Sequence, residues 1–86
     1  MKEEFPKLKV DEVALLRADV ITGHVLDEQL KLAVKDNQVI YSVIRNLDEA
    51  LDIARRIITE GKNIECVIYG KDKKVLFYLN SKNFNF

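Results

Sequence analysis

Apolar positions along this chain recur on two periods, and the change of period marks its elements. Over residues 46–61, Leu47, Ala50, Leu51, Ala54, Ile57 and Ile58 fall on one stripe at helical spacing, with Ile53 at its border. Asp48, Glu49, Asp52, Arg55, Arg56 and Glu60 take the opposite side. The spacing predicts an amphipathic helix that covers one core. Asn46 is placed to cap its first turn with Glu49 three residues on, and Gly61 suits a left-handed C-terminal position. Asp52 and Arg56 are spaced for an i,i+4 ion pair.

Two blocks after the helix, residues 63–69 (NIECVIY) and 75–80 (VLFYLN), are rich in β-branched, aromatic and apolar residues. The polar GKDKK between them, residues 70–74, reads as the turn of an antiparallel hairpin. Before the helix, residues 39–44 (VIYSVI) read as a strand, preceded by KDNQ, whose Asp and Asn favour a tight turn. Leu30, Leu32 and Val34 alternate with polar or small residues and offer that strand a hairpin partner. The expected core is strand, strand, helix, strand, strand over about residues 29–80: an α+β domain with one helix on a small antiparallel sheet.

The N-terminal third fits two patterns. Residues 10–21 satisfy a helix with Val13, Leu16, Val20 and Ile21 inward, or a strand that ends at the Thr22-Gly23 turn. Residues 26–34 are equally ambiguous, so the type of residues 10–35 stays open. The expected organisation is an arm over residues 1–9, a single domain over 10–80 and a tail over 81–86, whose Phe84 and Phe86 either fray or dock.

A lone helix covers one face of a sheet, and a face that meets water should read polar. These strands do not: Tyr41 and Val43 oppose Ile40 and Ile44, Tyr69 and Val67 oppose Cys66 and Ile68, and Leu76 and Tyr78 oppose Phe77 and Leu79. A second cover is needed, either the N-terminal segment or another subunit. A homodimer is the expectation, with Tyr41, Val43, Tyr69, Leu76 and Tyr78 as candidate interface residues, because a tyrosine offers a ring to bury and a hydroxyl to hydrate.

Length and charge sharpen this picture. A chain of 86 residues is one domain, and such a domain buries only about 60–65% of its unfolded surface, so added burial through association is useful to it. Fourteen basic and fourteen acidic side chains cancel overall. They divide unevenly, however: residues 1–60 hold nine bases against twelve acids, and residues 61–86 hold five against two. Lys62, Lys71, Lys73, Lys74 and Lys82 therefore form a candidate basic patch, and a nucleic-acid-associated regulator is the alternative reading. No apolar run reaches the length of a membrane span, the start lacks the pattern of a secretory signal, and Cys66 is alone, so the expected location is cytoplasmic. The small Lys- and Asn-rich chain reads as bacterial.

Candidate chemistry is sparse. His24 is the single histidine, and Thr22 to Glu28 forms no metal-ligand spacing. Cys66 is flanked by Glu65 and Val67 in an apolar strand and reads as a small buried hydrophobe. The three glycines are scattered, so no phosphate loop is present. Neighbouring acids such as Asp27 and Glu28 point to different faces. The expectation is a protein without catalytic, metal or cofactor site; a small enzyme centred on His24 ranks behind the two other readings. Residues 46–54 after a strand are similar to the strand-to-helix passage of HicB-type antitoxins. The Pro- and Gly-containing segment that usually precedes that helix is missing, and no site residue is carried over.

Overall fold

The middle of the sheet is the segment whose type the sequence leaves open. A computed structural model describes residues 5–35, 37–61 and 63–82. In it β1 (Val13–Asp19) pairs antiparallel with β4 (Ile64–Tyr69) along one edge, from Ala14 opposite Tyr69 to Asp19 opposite Ile64. Two short strands share its other edge end to end: β2 (Val25–Leu26) opposite Arg17 and Ala18, and β3 (Ser42–Ile44) opposite Val13 to Leu15. β5 (Val75–Leu79) follows β4 in a hairpin, giving the order β2-β1-β4-β5. The strand, strand, helix, strand, strand series is thus present, with a fifth strand threaded through its centre. β1 suits that place because Val13, Ala14, Leu15 and Ala18 are all buried, two on each face.

α1 (Leu47–Glu60) links β3 to β4, which run parallel on either side of β1. Its stripe is the predicted one. Ala50, Ala54 and Ile58 are buried against Val13, Leu15, Cys66, Ile68 and Leu79, and Leu47, Leu51, Ile53 and Ile57 pack around them. Each fully buried Leu or Ile in this cluster contributes roughly 1.5–3 kcal/mol by leaving water. The Asn46 side chain accepts the Glu49 N–H at 2.8 Å, the expected cap.

Three local expectations are corrected. Gly61 is extended (φ −127°, ψ 93°), not left-handed. A Cβ there would lie 2.7 Å from Cδ1 of Ile64, the far end of a side chain that must shift to admit it. The Asp52 carboxylate lies 3.7 Å from Arg55, one turn position short of Arg56.

The third correction concerns the partner of β3. Residues 30–34 form no strand beside it; Leu32 bridges to Leu26 and the Ala33 N–H donates to the Val25 carbonyl at 3.0 Å, so the chain folds back on β2. Asp27 causes the reversal. Its carboxylate accepts the Gln29 and Lys31 N–H groups at 2.8 and 3.0 Å and the Gln38 side-chain amide at 2.8 Å, while Leu30 takes a left-handed φ of 64°. β3 is also shorter than its apolar run. The Val39 carbonyl accepts from the Glu28 N–H and the Ile40 carbonyl from the Arg17 side chain of β1, so neither takes part in a strand ladder.

Candidate interaction surface

Alternation places Val13, Leu15, Arg17, Cys66, Ile68 and Leu79 on the helix side of the sheet and Ala14, Leu16, Ala18, Val67, Tyr69 and Tyr78 on the other. This second face has a partial cover of its own. Phe5 meets Tyr41 and Tyr69 edge-on at centroid distances of 5.1 and 5.7 Å, and the two tyrosines meet at 6.1 Å. Leu8 is buried. Phe5, from the segment expected as an arm, therefore packs where a second cover was required.

Of the five candidate interface residues, Tyr41 and Tyr69 are half-buried in this aromatic cluster. Val43 pairs with Ala14 and stays 46% exposed, and Tyr78 pairs with Val67 and stays 49% exposed. They occupy opposite flanks of the face. Leu76 is 38% exposed and leaves the group: a β-bulge shifts the register at Tyr69, and the Leu76 side chain folds over Gly70. Val75, 56% exposed, joins it at the sheet edge. The Tyr78 hydroxyl donates to the Glu65 carboxylate, and this bond, more than burial, holds the phenol above its ordinary range.

The basic residues divide between the ends of the hairpin. Lys71, Lys73 and Lys74 are exposed around the β4–β5 turn, where Asp72 and Lys73 both take positive φ. Lys82 is exposed beyond the other end of β5, roughly 20 Å away at the rise of a strand. Lys62 lies outside the described residues, as do Phe84 and Phe86 of the tail.

His24 is exposed in the turn after β1, where the Asp19 carboxylate accepts the Ile21 and Thr22 N–H groups and Gly23 supplies a φ of 76°. Cys66 is buried under α1, and burial pushes its thiol up to about 11, against a smaller opposing pull from Arg17. It stays a protonated thiol at neutral pH and is a poor nucleophile. Among the described residues no cluster of three His, Cys, Asp or Glu side chains could hold a metal ion. No helix among them is long and apolar enough to cross a membrane.

One polar cluster escaped the sequence reading. Arg17 is only 3% exposed, and its guanidinium donates to the Asp27 carbonyl (3.1 Å), the Ser42 hydroxyl (2.8 Å) and the Ile40 carbonyl (3.0 Å). Ser42 passes the link on to the Glu28 carboxylate at 2.7 Å. The fork ties both ends of the β2–β3 loop, and the start of β3, to the central strand. A charged residue at the inward position of V-x-L-x-R was the available signal, since a buried Arg must find several acceptors. Also missed were Val10, Ile21 and Val34, exposed in loops outside the sheet faces.

Compared with protein-family models, curated proteins and solved structures, the chain matches none.

Proposed function

We propose that this chain is a small non-catalytic protein-interaction or regulatory module that self-associates through the apolar surface of its sheet. One observation carries the reading: Val43 and Tyr78 remain exposed on the sheet face away from the helix, and Val75 and Leu76 remain exposed at its edge. Every Å² of that apolar surface removed from water is worth roughly 25 cal/mol, and a symmetric contact removes it twice. Tyr78 suits a partly wet interface, because its hydroxyl donates to Glu65 while the residue stays 49% exposed. Light scattering after size-exclusion chromatography tests the reading. A mass that rises towards the dimer across the micromolar range, and falls for Tyr78→Glu, supports it.

A nucleic-acid-associated role is the second reading, favoured by three exposed lysines in one turn, Lys71, Lys73 and Lys74. Asp72 sits among them and Lys82 lies at the far end of the hairpin, so few phosphates can be neutralised together. Binding to mixed DNA and RNA that weakens steeply with salt would favour it; no binding at low salt removes it.

A further inference from the structure

Residues 27–35 and 37–39, between β2 and β3, carry a hydrogen-bond network of their own. The Asp27 carboxylate accepts from Gln29, Lys31 and Gln38. Gln38 extends the network: its side-chain amide also donates to the Leu32 carbonyl at 2.8 Å, and its Oε1 accepts the Val34 and Lys35 N–H groups at 2.7 and 2.6 Å. The Glu28 N–H closes the base of the segment on the Val39 carbonyl at 3.1 Å. Its larger apolar side chains, by contrast, are poorly packed, with Leu30, Leu32, Val34 and Val39 all exposed. A segment braced internally and buried little can open as one piece, because opening keeps its own bonds and gives up little apolar contact.

The strands at its two ends are short, β2 lying opposite Arg17 and Ala18 and β3 opposite Val13 to Leu15. Arg17 of the central strand reaches both ends, the Asp27 carbonyl at one and the Ile40 carbonyl and Ser42 hydroxyl at the other. These are bonds from a charged donor, the stronger kind. Beside the segment lies a cleft of about 310 Å³ lined by its Glu28 and Leu30, by Ile53 and Ile57 of α1 and by Leu15 of β1. We propose that the segment is a flap that opens from this cleft as one body, with Arg17 as its latch. Release of the latch widens the cleft and bares its apolar lining while the sheet and helix stay folded. The cleft lies on the helix side, so the opening of the flap is separable from self-association through the other face.

The test is native-state hydrogen exchange on the full chain, followed by NMR. The amides of Glu28, Gln29, Leu30 and Lys31 should exchange through one shared opening, more readily than those of Ile68 in β4 and Ala54 in α1. Ser42→Ala removes one acceptor of the latch and should speed the flap amides roughly tenfold while Ile68 and Ala54 keep their rates. Arg17→Met keeps an unbranched side chain without the three bonds and should speed the flap amides further. Flap amides that exchange only together with Ile68, or each by a separate opening, overturn the flap. Unchanged flap amides in both variants, equal acceleration of every amide by Ser42→Ala, or loss of the whole fold in Arg17→Met by circular dichroism overturns the latch.

Discussion

The two faces of this sheet are built from the same kinds of residue and are finished differently. On one side α1 lays Ala50, Ala54 and Ile58 over Leu15, Cys66 and Ile68, all of them essentially closed to solvent. On the other, the cover among the described residues is an aromatic cluster of Phe5, Tyr41 and Tyr69 over one end of the sheet, and Val43 and Tyr78 are left half open. The first face holds the fold together. The second is only partly closed by the chain, and the surface it leaves is where association has something to gain.

Variants should separate the two faces by size of effect. Ile68→Ala opens a cavity beneath α1 and should cost about 2–5 kcal/mol in denaturant unfolding, enough to threaten a domain of this length. Phe5→Ala should cost less, about 1–3 kcal/mol, since Phe5 is half-buried and its loss removes two edge-on ring contacts of roughly 0.5–1.5 kcal/mol each. An equal or larger loss for Phe5→Ala would mean that the second face is as structural as the first. Asn46→Ala removes the cap of α1 and should lower stability by about 1 kcal/mol without changing association.

Chemistry distinguishes the faces as well. Cys66, raised to about 11 by burial on the helix side, should resist thiol reagents at mildly alkaline pH and react once denaturant opens the core. Rapid labelling of the native protein would contradict the closed packing of that side. The smallest effect is expected at Asp27, whose carboxyl is held below its usual range chiefly by the Gln38 amide and then by the Lys31 and Gln29 N–H groups. Its folded pKa is depressed, so its contribution is fully present above the ordinary carboxylate range and is lost as pH falls through the depressed value. In Asp27→Ala that part of the acid destabilisation should disappear from the pH profile of unfolding.

Much of the helix side is legible in the sequence, because a 3.6-residue stripe, an Asn cap and a preceding strand all point to one arrangement. The hairpin of β4 and β5 is legible for the same reason: β-branched blocks flank a polar turn. β1 is not, since VALLRAD satisfies both periods and its strand state is decided by partners far away in sequence, Ile64 to Tyr69 on one edge and Ser42 to Ile44 on the other. The partner of β3 is misread because alternation over 30–34 is visible while the Asp27 turn that reverses the chain is a matter of side-chain hydrogen bonds. All five candidate interface residues read alike in the sequence, but Tyr41 and Tyr69 are half-buried, because Phe5 returns from the N-terminal segment to meet them. Nothing in local spacing announces that contact.

The molar mass of the purified full chain, by sedimentation across the micromolar range, bears most directly on self-association. Self-association predicts a reversible rise towards twice the monomer mass that Tyr78→Glu suppresses while the far-ultraviolet spectrum is preserved. A chain that remains monomeric throughout that range, with Tyr78→Glu indistinguishable from it, contradicts the claim that the second face is a surface for association.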